Sequence, residues 1–294
     1  MRQKRSIAML QGVYTALVTP FNTDGSVDFE AFKALVQRQI DLGIDGLVPI
    51  GTTGESPTLT DEEKDRLIAI TAELAAGELP VIAGSGSNST AHAIEATRRA
   101  KDNGADHTLQ VSPYYNKPSQ EGLYRHYNEI ADQGGLPVVV YNVPGRTSVN
   151  IGVDLILRLA RHPQIVAVKE ACGNIGQITD LLSRVPEGFS VLSGDDALTL
   201  AMIALGGHGI ISVASNMFVS EMSRLVHEAL DGNYAVAREV HNRLHPFFVN
   251  EFIETNPVPI KTYMADAGLL KEVFRLPLAP LKEQNKEILL NTYR

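Results

Sequence analysis

The feature that most constrains this chain is a unit that recurs from residue 12 to about residue 231. Each unit is a short apolar run, a knot of small or polar residues, and an amphipathic stretch of ten or more. The apolar runs are Tyr14 to Val18, Gly46 to Ile50, Pro80 to Ala83, Thr108 to Val111, Pro137 to Tyr141, Ile165 to Lys169, Ser190 to Leu192 and Gly209 to Val213, eight in all. The stretch after the second run makes the helical part explicit. Thr60-Asp61-Glu62-Glu63 reads as an N-cap with a capping box, Leu67, Ile68, Ile70 and Leu74 fall at helical spacing, and Gly77 and Pro80 end the pattern. Strands separated by helices pair in parallel. Eight in series, with neither a dinucleotide-binding fingerprint nor a second compositional region, predict an α/β fold in which a (β/α)8 barrel closes on itself.

After Gly232 the pattern changes to helical stretches at about 233–251, 259–268 and 279–291, separated by Asn256-Pro257 and by Pro277 and Pro280. We therefore expect a barrel over 1–231 and a C-terminal helical extension over 232–294 packed against it. A chain of 294 residues with 44% hydrophobic content can bury one large core. The start, Met1-Arg2-Gln3-Lys4-Arg5-Ser6, leads into only four apolar residues, too few for a signal peptide, and no run reaches transmembrane length. The single cysteine, Cys172, leaves no internal disulfide framework and fits a reducing compartment, so a cytoplasmic location is expected. Twenty-six Lys and Arg against thirty-four Asp and Glu give a net charge of -8, without a basic cluster beyond the first residues. That argues against nucleic acid as a ligand and requires local groups to hold any anionic substrate.

In a barrel of this kind, sites lie at the C-terminal ends of the strands, so the knots carry the functional argument. The run Ile165-Val166-Ala167-Val168 stops on Lys169. Strict alternation puts Ile165, Ala167 and Lys169 on one face and Val166 and Val168 on the other. An amine at the end of an otherwise apolar face is desolvated, which lowers its pKa and frees the neutral form that attacks a carbonyl. The other knots bring Thr52 and Thr53 in Gly51-Thr52-Thr53-Gly54-Glu55-Ser56, Tyr114 and Tyr115 in Ser112-Pro113-Tyr114-Tyr115-Asn116, Tyr141 and Arg146 in Tyr141-Asn142-Val143-Pro144-Gly145-Arg146-Thr147, and Ser193-Gly194-Asp195-Asp196. Each has an ordinary explanation alone: tight turns, helix caps, packing at a rim. Together on one rim they suit imine chemistry on an anionic keto acid. Tyr141 would shuttle protons, the turn at Thr52 and Thr53 would hold a carboxylate, and the Arg146 fork would hold a second.

Other signals point nowhere. The eight histidines are dispersed, and the pair His241 and His245 lacks the carboxylate of a zinc-protease motif, so no metal is expected. Gly84-Ser85-Gly86 follows a strand, but position 89 is serine where a dinucleotide motif needs glycine. Cys172 has no neighbouring histidine and needs no chemical role.

The knots, in their order, resemble the 4-hydroxy-tetrahydrodipicolinate synthase (dihydrodipicolinate synthase) family of the pyruvate-dependent class I aldolase and N-acetylneuraminate lyase superfamily. The likeness runs from Leu17-Val18-Thr19-Pro20 to Asn256-Pro257-Val258-Pro259-Ile260-Lys261. It implies a TIM barrel and a lyase that condenses pyruvate with L-aspartate 4-semialdehyde without a cofactor, the committed step of diaminopimelate and lysine biosynthesis. By the same resemblance, Lys169 forms the Schiff base, Tyr141 donates and accepts the proton, and Thr52 links it to Tyr115, which a neighbouring subunit supplies. Thr53, Ile211 and Gly194 would contact pyruvate and Arg146 the semialdehyde's carboxylate. A homotetramer built from tight dimers is also implied. Two other readings stand beside it. One is an aldolase or lyase for 2-keto-3-deoxy sugar acids or N-acetylneuraminate, whose tract after the Tyr141 motif lacks the arginine. The other is an inactive barrel serving as a binding or regulatory protein.

The resemblance further maps a lysine-feedback site onto Ser56, Pro57, Asp61, Lys64, Asn88, His92 and Tyr114. Lysine-sensitive bacterial relatives commonly carry histidine where Lys64 stands and glutamate where His92 stands. The acceptor for the effector's ammonium is then missing here and a positive charge added, so weak or absent lysine inhibition is expected.

Overall fold

The computed structural model describes residues 9–292; the basic start Met1 to Ser6 lies outside them. Eight parallel strands are hydrogen-bonded in the order β2-β1-β8-β7-β6-β5-β4-β3. They are β1 Gly12–Ala16, β2 Gly46–Val48, β3 Ile82–Ala83, β4 His107–Val111, β5 Val138–Asn142, β6 Ile165–Glu170, β7 Ser190–Ser193 and β8 Gly209–Ser212. A parallel bridge between Leu47 and Val81 joins the two ends and closes the barrel. Helices connect the strands: α1 Phe29–Asp41, α2 Asp61–Ala75, α3 Thr90–Asp102, α4 Gln120–Gln133, the short α5 Pro144–Thr147, α6 Val153–Leu159, α7 Ile175–Arg184 and α8 Thr199–Ala204. After β8 come α9 Val219–Leu230, α10 Tyr234–Asn250, α11 Val258–Asp266 and α12 Glu283–Leu290. The predicted (β/α)8 barrel with appended helices is the fold.

Period-two alternation sorts the side chains into two layers. Val139 and Tyr141 join Tyr14, Val48, Ile82, Leu109, Ala167, Leu192 and Ile211 inside the barrel. Val138 and Val140 pack outward against Leu123, Tyr127 and Ile130 of α4. Fully burying each such side chain is worth about 1.5–3 kcal/mol, so a one-residue slip of a strand is prohibitive. Where alternation fails, a local cause is visible. Between β5 and β6 the register shifts, Val138 pairing with Ile165 and Val139 with Ala167, so Val166 is an extra residue. Ile165 consequently faces the outer layer with Val168, while Val166 packs with the interior cluster. The strict two-face reading of this strand is corrected at its first two residues; Ala167 and Lys169 are unaffected.

The capping box at α2 forms as its sequence requires, with Glu63 N–H donating to Thr60 Oγ1 at 3.2 Å and Thr60 N–H to Glu63 Oε2 at 2.9 Å. The appended helices do more than cover apolar surface. Lys261 of α11 is completely enclosed and its Nζ donates to Glu55 Oε1 at 2.5 Å and to the Val273 carbonyl at 2.8 Å. Glu55 follows the Gly51–Gly54 turn in a left-handed conformation, φ 55°, so the extension is pinned to the loop after β2. Removing one partner of a wholly buried pair strands the other charge, which costs about 3–5 kcal/mol. Lys261→Met is expected to lose that much stability in urea unfolding, and adding Glu55→Gln to recover part of it. A loss below about 1 kcal/mol would mean the pair is not holding the extension down.

Candidate active site

Lys169 and Glu170 end β6 on opposite faces. Glu170 points outward, accepting from Asn142 Nδ2 at 3.0 and 3.1 Å and from the Cys172 N–H at 2.8 Å, which ties the strand end to β5 and fixes the backbone that carries the lysine. Lys169 points inward and is 5% exposed. Its Nζ lies 4.5 Å from the ring centre of Tyr141, its partner in the β5–β6 register. Burial pulls the Lys169 amine down to about 8, against Asp196, which raises it, while Arg146 lowers it further. The Tyr141 hydroxyl is pushed up to about 12, again chiefly by burial, with Arg146 lowering it and Asp195 raising it.

Both groups open into a cavity of about 170 Å³ at the C-terminal ends of the strands. Thr52, Thr53, Arg146, Gly194 and Asp195 line it with apolar Ala16, Val48, Leu109, Val143 and Val213. Gly194 has a steric reason to be glycine: a Cβ there would sit 2.9 Å from Lys169 Cε and 2.8 Å from Ala171 Cβ. Ile211, expected at the substrate, is fully buried one layer below, and Val213 of the same tract takes the lining position. Tyr115 is not in the cavity of its own chain. It stands 91% exposed with a left-handed backbone, φ 72°.

The repeat pattern missed what the extension contributes. Phe252 and Asn256 reach back from beyond α10 to line the cavity. Asn256 Nδ2 donates to Thr53 Oγ1 at 3.0 Å, and its main-chain carbonyl accepts from Arg146 Nη2 at 3.0 Å. One residue thus orients the threonine and the guanidinium, and its buried Oδ1 has no partner among the described residues. The only sequence signal was the Asn256-Pro257-Val258-Pro259 tract, read as a helix break and a family motif without a role.

Asp195 caps the next turn by accepting from the Ala197 N–H at 3.0 Å. Asp196, read as a second cap, instead turns inward to Ser212 and Val213. The Cys172 thiol is pushed up to about 12 by burial and by Glu170, which leaves it unreactive. Gly84 follows β3 because a Cβ would meet the Ile50 carbonyl at 2.5 Å, a close approach of two backbones.

A second cavity, about 570 Å³, shares Thr52 and Arg146 with the first. Ser56, Pro57, Asp61, Lys64, His92 and Tyr114 line it, and Asn88 sits beside it, its Nδ2 donating to the Tyr114 carbonyl at 3.2 Å. Of its acidic groups, Asp61 and Asp65 are engaged, whereas Glu95, also in the lining, has no ion pair among the described residues. Arg99 bonds Asp61 and, through two nitrogens at 2.7 and 3.3 Å, Asp65; Lys64 Nζ lies 3.6 Å from Asp61.

Residues 9–293 match the model of the dihydrodipicolinate synthetase family. The 4-hydroxy-tetrahydrodipicolinate synthase of Koribacter versatilis (strain Ellin345) is 50% identical over 94% of this chain and 93% of its own. The chloride-inhibited dihydrodipicolinate synthase of Acinetobacter baumannii, solved in complex with pyruvate, superposes with a TM-score of 0.95 at 42% identity, covering 97% of this chain and 98% of that one. The enzyme of Cyanidioschyzon merolae, solved with lysine bound, does so with a TM-score of 0.93 at 40% identity, over 97% of each chain. From a barrel closed around a buried lysine to sequence identity along nearly its whole length, this chain belongs to the dihydrodipicolinate synthetase family.

Proposed function

We propose that the chain is a lyase that condenses pyruvate with L-aspartate 4-semialdehyde to 4-hydroxy-tetrahydrodipicolinate, the committed step of diaminopimelate and lysine biosynthesis. The observation that carries this reading is the buried Lys169 amine facing Tyr141 in a cavity edged by Arg146. The neutral amine adds to the keto carbon of pyruvate. Tyr141 protonates the carbinolamine oxygen, which leaves as water, and the methyl carbon then gives up a proton to form the enamine. That carbon attacks the aldehyde, and the semialdehyde's own amine displaces the lysine to close the ring. Every step moves protons or makes and breaks C–N, C–O and C–C bonds without a redox change, so side chains suffice and no cofactor is required. The hydroxyls of Thr52 and Thr53 and the main chain of their turn bind pyruvate's carboxylate, Gly194 leaves room beside Lys169, and Ile211 backs the pyruvate floor from below.

Arg146 selects the second substrate by a charge-assisted fork to its carboxylate. Losing such bonds costs about 1.5–3 kcal/mol, so Arg146→Ala is expected to raise the KM for the semialdehyde by roughly 10- to 100-fold while leaving pyruvate little changed. Steady-state kinetics with both substrates, coupled to reduction of the product, tests the function and the role together. Unaltered semialdehyde kinetics, or efficient cleavage of N-acetylneuraminate or a 2-keto-3-deoxy sugar acid by the unmodified protein, would favour the sugar-acid reading. No turnover with either would favour a binding role.

Self-association into a homotetramer of tight dimers completes the site in this reading. Supporting it, Tyr115 is a large aromatic side chain held almost wholly in solvent by a left-handed backbone, an arrangement that a neighbouring chain would cover. No helix among the described residues is long and apolar enough to cross a membrane, and small polar substrates of biosynthesis suit the cytoplasm.

Lysine is expected to inhibit weakly or not at all. An effector ammonium entering the second cavity would find Asp61 and Asp65 held by Arg99 and Lys64 and His92 offering no carboxylate; the one unpaired acid of the lining among the described residues, Glu95, is exposed and shares the cavity with the added charge of Lys64. Strong inhibition at submillimolar lysine, with lysine bound at Asn88 and Tyr114, would refute this.

A further inference from the structure

The turn that carries Thr52 and Thr53 has left-handed backbone at both ends, and neither end is a glycine: Ile50 has φ 52° and Glu55 has φ 55°. A residue with a Cβ is strained there, and it stays only where its surroundings hold it. Ile50 is held by packing in the main core. The main chain of Glu55 makes two short-range bonds, its N–H donating to the Thr52 carbonyl at 3.1 Å and its carbonyl accepting from Thr58 Oγ1 at 3.0 Å. Its carboxylate is gripped from far along the chain. Lys261 Nζ donates to Oε1 at 2.5 Å and the Arg275 N–H to Oε2 at 3.3 Å, so both partners belong to the appended segment.

Those partners are themselves fixed. Lys261 Nζ also donates to the Val273 carbonyl and stands 4.4 Å and 5.0 Å from the ring centres of Phe21 and Phe274. The Arg275 guanidinium bonds Glu63 of α2 through two nitrogens at 2.7 and 2.5 Å, and the Thr58 and Gly25 carbonyls at 2.8 and 2.9 Å. The turn therefore lies between rigid supports: Thr19 Oγ1 donates to the Gly54 carbonyl at 2.7 Å on one side, and the anchored Glu55 follows on the other. Releasing Glu55 lets its backbone relax out of the left-handed region. That rotation is passed directly to Thr53 and Thr52, two and three residues before it.

We propose that Lys261 is a positioning residue for pyruvate: by anchoring Glu55 in its strained conformation, it holds Thr52 and Thr53 where their turn receives the substrate's carboxylate. Lys261 is fully enclosed and does not line the cavity, so it acts through Glu55 and touches no substrate. This role rests on the functional reading above and deepens it, because it gives the appended helices a share in choosing a keto acid over a neutral ketone. Lys169 and Tyr141 stand on β6 and β5 rather than on the turn, so the nucleophile and the proton donor keep their places when the anchor is lost.

The test is borohydride trapping on Lys169 in the full chain with two ketones, pyruvate and acetone, which share the reacting carbonyl and a methyl group and differ in the carboxylate. Lys261→Met should raise the pyruvate concentration for half-maximal trapping by roughly 10- to 100-fold, the worth of hydrogen bonds to a charged group, and leave acetone trapping unchanged. Lys261→Met/Glu55→Leu replaces the whole pair by apolar groups and strands no charge, so its stability stays near that of the unmodified protein. It must show the same selective loss of pyruvate, and it carries the test should Lys261→Met fail to fold. Equal losses for both ketones would mean general damage to the site and overturn the proposal. An unmoved pyruvate dependence in a folded variant would reduce the pair to holding down the extension, and overturns it too. If the unmodified protein never traps pyruvate on Lys169, the functional reading fails and the positioning role falls with it; normal trapping there, with unselective variants, strikes the positioning role alone.

Discussion

Lys169→Ala is expected to abolish condensation, and borohydride is expected to reduce the pyruvate adduct onto Lys169 in the unmodified protein and onto no residue in the variant. The size of the effect follows from the chemistry, since without an imine there is no enamine to attack the aldehyde and the remaining groups have nothing to act on. The pH dependence follows from burial. With its amine brought down to about 8, Lys169 is neutral in about a fifth of molecules at pH 7.4, against about one in a thousand for an unperturbed lysine. The sign is that of a base: pyruvate trapping and kcat/KM should rise with pH through about 8 and then level. A limb near the pKa of an ordinary lysine, or an adduct on another residue, would sink the assignment. Lys169→Ala also gives a means to test the exposed tyrosine. If Tyr115 acts in a neighbour's site, mixing Lys169→Ala chains with Tyr115→Phe chains should restore part of the activity, because some sites then receive both native residues. No recovery in demonstrably mixed dimers would count against a shared site.

What could be read in advance divides along the reach of the physics involved. The barrel was legible because each strand carries its own evidence: Val138 to Tyr141 alternates between two buried layers, and Thr60 to Glu63 encodes its own cap. Lys169, Tyr141, Thr52, Thr53, Arg146 and Gly194 were legible as cavity-lining residues because strand ends in such a barrel meet at one rim. The register shift that turns Ile165 outward was not, since it depends on how β6 meets β5 rather than on either strand. Nor were the long-range pairings. Asn256 reaches Thr53 across 203 residues of sequence and Lys261 reaches Glu55 across 206, and no local pattern announces a partner so distant. Glu251, fully enclosed at the end of α10, is the sharpest case of burial that the local sequence does not announce. An acid at the end of a helical stretch reads as solvated until tertiary packing encloses it.

Tyr141→Phe is expected to lower kcat by about 10²- to 10⁴-fold, roughly 3–5 kcal/mol in the barrier, while the protein folds as before. Folding should survive because the ring keeps its place in the barrel interior. The loss falls on kcat because the hydroxyl acts on atoms whose protonation changes during reaction: the carbinolamine oxygen that must leave as water, and the carbon that must give up a proton. Its perturbed acidity sets the direction. At about 12 the phenol stays protonated throughout the range in which Lys169 loses its proton, so one side chain supplies a proton while its neighbour supplies a lone pair. Burial drives both shifts in the same apolar barrel mouth, raising the acid and lowering the base. Phenylalanine keeps the burial and removes only the proton. The Lys169 limb near pH 8 should therefore persist in Tyr141→Phe with its height reduced, which separates loss of the shuttle from damage to the nucleophile. An unchanged kcat would remove Tyr141 from the proton path, and a limb displaced together with the rate would show that the ring, not its hydroxyl, had been carrying the effect.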